Sequence, residues 1–121
     1  MFTYSFEKLE VWIESKKLTK DIYLITKNFP SEEKFGLTSQ LRRASVSVCS
    51  NIAEGSARKI NKDKAHFTIM AFSSSAVEVL NQIIIAHELE FIDLTEYKNL
   101  RNQIESITNK LNALRNYQIN K

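Results

Sequence analysis

Apolar positions along this chain recur at steps of three and four, and no run of alternating apolar and polar residues marks a strand. The pattern predicts four helices. The first covers about Ser5 to Asn28, with Leu18, Ile22, Ile25 and Phe29 four, three and four apart, and stops ahead of Pro30. The second runs from Leu37 to Glu54, where Gly55 would close it as a left-handed cap. A basic link, SARKINK, leads to a third helix from about Lys62 to Leu89. Asp93 and Glu96 then form a capping box for a fourth, on which Tyr97, Leu100, Ile104, Ile107, Leu111 and Leu114 make one packing seam. Helices of this length joined by short links predict an all-α, antiparallel up-down-up-down bundle roughly 30 Å long, a single domain over residues 1–121.

The second helix is thin. On a wheel of about 100° per residue, Leu37, Leu41, Ala44, Val48 and Ile52 share the face toward the bundle. Gln40, Arg43, Ser47, Asn51 and Glu54 form a polar row on its shoulder, and Val46, Cys49 and Ala53 lie on yet another side. Serine and alanine let neighbouring helix axes approach closely, so this helix is expected to be contacted on more than one face. The polar row would then be partly covered. Arg43 and Glu54 stand too far apart to pair, and Glu78 on the third helix is the candidate partner of Arg43. Gln40, Arg43, Asn51, Glu54 and Glu78 are accordingly the candidates for a structural polar network, which in bundles more often fixes register than performs chemistry.

The third helix carries two apolar stripes, Ile69, Phe72, Ala76, Val79, Leu80, Ile83 and Ala86 on one side and Phe67, Met70, Ala71, Val77 and Ile84 on another. Four helices of this length cannot cover both, which implies self-association; a central helix in a thick core is the alternative arrangement.

Composition narrows the classes. Two glycines and one proline in 121 residues are too few for a sheet's turns or a phosphate-cradling loop. No uninterrupted apolar run, Ile83 to Ala86 included, exceeds four residues, far short of the roughly 20 that span a bilayer. The amino terminus lacks a basic-then-apolar signal pattern, so a soluble cytoplasmic protein with no membrane partner is expected. The single cysteine, Cys49, reads as a buried structural thiol. Net charge is +3, but Lys34 to Lys64 holds seven basic residues against two acidic, a local +5 that leaves −2 for the rest. Arg42, Arg58, Lys59, Lys62 and Lys64 are the candidates for phosphate contact, with RNA or DNA the expected ligand; a solvated basic loop is the plain alternative.

No catalytic or metal constellation emerges, and no cofactor is expected. A di-metal bundle needs two Glu-x-x-His pairs, and Asp63 with His66 stands alone, as does His87. A helical, metal-independent ribonuclease would carry an arginine and a histidine with four to six residues between them, whereas seven lie between Arg58 and His66, and Lys59 replaces the usual polar neighbour.

The succession FEKLEVW, FPSEEKFGL, QLRRASVSVCSNIAEG and SSAVE resembles the four-helix bundle proteins encoded in intervening sequences of bacterial 23S ribosomal RNA genes. The likeness rests on Pro30, Glu33, Phe35, Gly36 and Leu37, on Gln40 to Ala44, and on Asn51 to Gly55. It departs at Ser74, where family members commonly carry glycine. The resemblance implies a cytoplasmic homo-oligomer, a pentameric ring, with no established catalytic activity. Related accessory proteins of diversity-generating retroelements form similar basic pentamers that engage nucleic acid and a reverse transcriptase. By that analogy the chain would be a basic scaffold for nucleic acid or ribonucleoprotein, or alternatively a protein-protein scaffold without nucleic acid.

Overall fold

A computed structural model describes residues 1–120. Four α-helices make up the fold: α1 (Glu10–Thr26), α2 (Leu37–Ser56), α3 (Asn61–Glu88) and α4 (Leu94–Ile119). Short 3₁₀ turns at Ser5–Lys8 and Ser31–Glu33 precede α1 and α2, and no strand occurs among the described residues. The first apolar segment therefore divides into a 3₁₀ turn and a helix, with Leu9 extended between them.

Polar contacts fix the direction of each neighbour. Thr26 meets Arg42 while Thr19, earlier in α1, meets Ser45 and Cys49 further along α2. Gln40 meets Gln82 while Ser47 meets Ser75, and Thr68 of α3 bonds Gln118 near the end of α4. Asp21 pairs with Gln103 and Glu10 with Lys110, closing α4 against α1. Each adjacent pair is antiparallel, as expected for an up-down-up-down bundle.

The core follows the predicted stripes. Leu18 and Ile22 of α1, Leu41 and Val48 of α2, Val79 and Ile83 of α3, and Leu100, Ile104, Ile107 and Leu111 of α4 are at most 2% exposed. Burying each such side chain contributes about 1.5–3 kcal/mol before the entropy of ordering is set against it. Helix ends are specified locally. Asp93 accepts the Glu96 amide at 2.7 Å while Glu96 accepts that of Asp93 at 2.9 Å, the predicted capping box. Glu33 accepts the Leu37 amide at 3.1 Å and starts α2.

Gly55 is not a left-handed cap. No glycine has positive φ, and α2 continues through Ser56. A Cβ on Gly55 would stand 2.7 Å from Cβ of Phe67, so the glycine is there because α3 crosses at that point and leaves no room for a methyl group.

α3 departs from a plain α-helix. Met70–Ala76 adopts π-helical turns, in which bonds run from i to i+5. Ser73 donates its hydroxyl to the carbonyl of Ile69 at 2.9 Å within this stretch. The serine run thereby supplies side-chain bonds where the backbone ladder is widened. By length and composition α3 is also long and apolar enough to cross a membrane. A count of uninterrupted apolar residues misses this, because Asn81, Gln82 and the serines interrupt the run. Ala71, Ala76, Val79, Ile83 and Ala86 are buried in the bundle, yet less than half of the most apolar part of α3 is covered by its own chain. Ile69, Val77 and Ile85 are left on its outer side, with Val46 exposed on α2.

Candidate nucleic-acid interface

The link between α2 and α3 is a tight turn. The amide of Ala57 bonds the carbonyl of Glu54, Arg58 that of Gly55, and Lys64 that of Ile60. Every residue from Ala57 to Asp63 is exposed, because the turn has no layer above it. Arg58, Lys59 and Lys62 project from it and form no ion pair among the described residues; Asp63 is the only carboxylate in the turn. The Arg58 guanidinium lies 4.7 Å over the ring of Phe67, the residue that packs against Gly55. That stack orients the cation while leaving its edge open to hydrogen-bond a phosphate. Lys64 is half-buried, one turn into α3.

Arg42 is not part of this cluster. It lies toward the opposite end of α2, fourteen residues or about 21 Å from Ser56 at about 1.5 Å per residue. Its Nε donates to Thr26 Oγ1 at 2.9 Å and its Nη2 to the carbonyl of Tyr23 at 3.3 Å, with the guanidinium 4.7 Å over the Tyr23 ring. Thr26 in turn donates to Ile22 O at 2.7 Å. Arg42 therefore ties α2 to α1. The local +5 seen in sequence is divided between two ends of the molecule, with Arg58, Lys59, Lys62 and Lys64 at one and Lys34, Arg42 and Arg43 at the other.

The polar row of α2 is covered only in its middle. Asn51 is buried and donates to Ser47 O at 3.0 Å, Ser47 Oγ at 3.2 Å and Ser75 Oγ at 3.4 Å, while the two serine hydroxyls lie 2.9 Å apart. Gln82 Nε2 reaches Gln40 Oε1 at 3.5 Å and Glu78 Oε1 at 3.3 Å. Arg43, Glu54 and Glu78 are exposed in the single chain, and the expected Arg43–Glu78 ion pair is absent among the described residues. Short side chains meet across the α2–α3 contact, whereas long charged ones turn to water, where their charges stay hydrated. Ser75 and Gln82 complete the network and escaped the sequence reading, although both lie at helical spacing from Glu78.

A second polar clasp, also missed, joins α1 to α4. Glu14 accepts from Ser106 at 2.5 Å and pairs with Lys110, which also reaches Glu10 at 3.0 Å. Burial works to raise the Glu14 carboxyl, but bonds from Lys110 and Ser106, together with the Lys110 charge, bring it net below its ordinary value. Glu10 and Glu14 on α1, with Ser106 and Lys110 on α4, recur at i, i+4, which is the sequence signal that would have found them.

The remaining reactive side chains are engaged. Burial pushes the Cys49 thiol up, and its Sγ lies 3.5 Å from Thr19 Oγ1. His87 stacks on Tyr97 with ring centres 4.5 Å apart, and His66 is exposed. No cluster of His, Cys, Asp or Glu able to hold a metal occurs among the described residues.

Comparison with known proteins agrees with this architecture. No protein of curated function matches the sequence significantly. A crystal structure of a protein of unknown function from the S23 ribosomal protein family of Bacteroides thetaiotaomicron superposes with a TM-score of 0.78. That alignment spans 87% of this chain and 97% of the other at 20% identity, which establishes a shared fold. The profile of the 23S rRNA-intervening sequence proteins matches residues 7–113, from the turn ahead of α1 into the last helix. With the four-helix architecture and the motif residues in place, this chain belongs to the 23S rRNA-intervening sequence protein family.

Proposed function

We propose that the protein is a non-enzymatic, self-associating cytoplasmic scaffold that holds nucleic acid by its phosphates at the α2–α3 turn. The observation that carries this is the trio Arg58, Lys59 and Lys62, exposed, without ion-pair partners among the described residues and accompanied by one carboxylate. Cations of that kind release counterions on meeting a polyanion, which gives affinity without base specificity. Membership of a family named for 23S rRNA intervening sequences is in keeping with such a partner.

Self-association would multiply the patch. Ile69, Val77 and Ile85 on α3 and Val46 on α2 are each about two-fifths exposed, and another copy of the chain is their natural cover. Arg43, Glu54 and Glu78 flank these apolar positions and would supply the polar rim of the contact. A ring presents several basic turns to one ligand and converts modest single contacts into avidity.

The test combines size-exclusion chromatography and light scattering with RNA binding measured at several salt concentrations. A homo-oligomer whose affinity falls steeply with salt is expected. Replacing Arg58, Lys59 and Lys62 by alanine should weaken binding and flatten the slope of log K against log salt by about 2–3, the change expected from three lost phosphate contacts. Unchanged affinity in that variant would remove the turn from the interface. A protein-docking scaffold is the second reading, favoured by Phe35, which stands 88% exposed in the α1–α2 turn. An oligomer indifferent to RNA would favour it.

A further inference from the structure

At the opposite end of the bundle from the basic turn, two hollows meet beside the start of α2. One, of 260 Å³, is bounded by the link between α1 and α2; the other, of 480 Å³, runs from Lys34 to Val46. Lys34, Thr38 and Arg42 line both, Lys27 adds a further cation to the smaller, and no carboxylate lines either. Lys27 and Lys34 are exposed and form no ion pair among the described residues. Arg42 uses Nε and one Nη2 hydrogen on Thr26 and Tyr23, which leaves three of its five N–H groups for other acceptors.

We propose that this junction binds a phosphate group, supplied as the free anion or on a small phosphomonoester. The site is separate from the α2–α3 turn, since Thr38 precedes Ser56 by eighteen residues, about 27 Å at about 1.5 Å per residue.

Thr38 carries the argument. It is 8% exposed, and its hydroxyl forms no hydrogen bond among the described residues. Thr19, Thr26 and Thr68 each donate to the carbonyl four residues back. Thr38 is the second residue of α2, so the residue four back, Lys34, lies outside the helix and no helical carbonyl stands behind the hydroxyl. The oxygen is not sealed inside the protein, and the two hollows are the space it faces. Polar groups buried to this degree nearly always have a partner, and here the open position lies among cations.

The helix start adds to the attraction. Gly36 offers no side chain to cap α2. The Leu37 amide donates to Glu33, which lines neither hollow, and the Gln40 amide to the Gly36 carbonyl at 3.0 Å. Those of Thr38 and Ser39 have no acceptor among the described residues. A helix of 20 residues carries roughly half a positive charge at this end, so an anion there meets amide and hydroxyl donors as well as Lys34 and Arg42. A phosphate has oxygens enough to engage Thr38, Lys34 and Arg42 together, whereas a carboxylate has two. The larger hollow leaves room for whatever the phosphate is attached to.

The experiment titrates the full-length protein calorimetrically with inorganic phosphate and with ribose 5-phosphate at about pH 8, where both are chiefly dianions, with ionic strength held constant by chloride. It is repeated on Thr38→Val and Lys34→Gln. Wild type is expected to bind one phosphate group per chain. Thr38→Val keeps the shape and removes only the hydroxyl, so binding should weaken about tenfold, the size of one charge-assisted hydrogen bond, while Tm without phosphate stays level or rises. Lys34→Gln, at an exposed position, should weaken binding comparably. Tighter binding of ribose 5-phosphate than of inorganic phosphate would support an ester as the ligand, and equal or weaker binding the free anion. No heat of binding and no rise in Tm beyond that in chloride would overturn the proposal, because water alone would then fill the junction. Wild-type affinity in both variants would overturn it as well. So would a large fall in Tm for Thr38→Val without phosphate, which would show that the hydroxyl serves the fold.

Discussion

Replacing Gly55 by alanine sets two effects of opposite sign against each other. Alanine in a helix is favoured over glycine by about 0.5–1 kcal/mol, and Gly55 lies within α2 at an ordinary helical φ. Against this, the new Cβ would stand 2.7 Å from Phe67 Cβ and 3.5 Å from Lys64 O. Phe67 Cβ is fixed to the α3 backbone, so no rotamer change relieves the contact and the helices must separate. Overpacking of this kind costs about 1–3 kcal/mol, which outweighs the propensity gain. The expected net loss is about 1–2 kcal/mol, read as a fall in Tm of roughly 4 °C per kcal/mol for a chain of this size. Thermal melts followed by far-ultraviolet circular dichroism measure it. Ser50→Ala, at an exposed position of the same helix, reports propensity alone and should be neutral or slightly stabilising. Gly55→Asn separates close packing from the helix-cap role that sequence suggested: asparagine tolerates a left-handed cap but is larger than alanine, so it should be worse still. A Gly55→Ala variant that melts at or above wild type, or an asparagine variant better than alanine, would refute the close-contact argument.

Other outcomes follow from the polar contacts. Ser75→Ala removes the hydroxyl shared by Ser47 and Asn51 and should cost about 1 kcal/mol in chemical denaturation; no change would mean that the α2–α3 contact is not organised around it. Asp93→Ala breaks the capping box and should destabilise by about 1 kcal/mol, with the earliest loss of amide protection in the first turn of α4. Because Glu14 is held below its ordinary value of 4.5, its contribution is complete above that pH and is lost as acid takes the pH through the lowered value. Stability should therefore fall below pH 4.5 more steeply in wild type than in Glu14→Gln, and superimposable acid curves would count against the clasp. Cys49, with its thiol pushed up by burial, should alkylate more slowly at neutral pH than in the denatured chain.

What could be foreseen in the sequence was whatever depends on spacing within one helix. The seam from Tyr97 to Leu114, the inward face of α2 and the Asp93–Glu96 cap are local patterns, and the fold realises each of them. The meaning of Gly55 depends on Phe67 arriving from another helix, and spacing alone could not separate a cap from a crossing point. The candidate phosphate residues were grouped by proximity in sequence, which overlooks that a 20-residue helix carries Arg42 and Arg58 to opposite ends of the bundle. The covered part of the polar row could not be delimited, since Arg43 and Asn51 look alike on a wheel and differ only in how far the facing helix reaches.

The π-helical turns at Met70–Ala76 bear on how this chain can change length over evolutionary time. Such a segment is equivalent to an α-helix into which one surplus residue has been accommodated. A deletion there can be absorbed by tightening the turns to the ordinary pitch. The same deletion in α4 would rotate every downstream side chain by about 100° and swing Leu111 away from its partners. α3 therefore contains a place where single-residue insertions and deletions are tolerated in mid-helix, between the end that bears the basic turn and the end that packs His87 on Tyr97. Length variation among relatives is expected to concentrate there as well as in loops, and an alignment that forbids gaps within helices would misplace one half of α3.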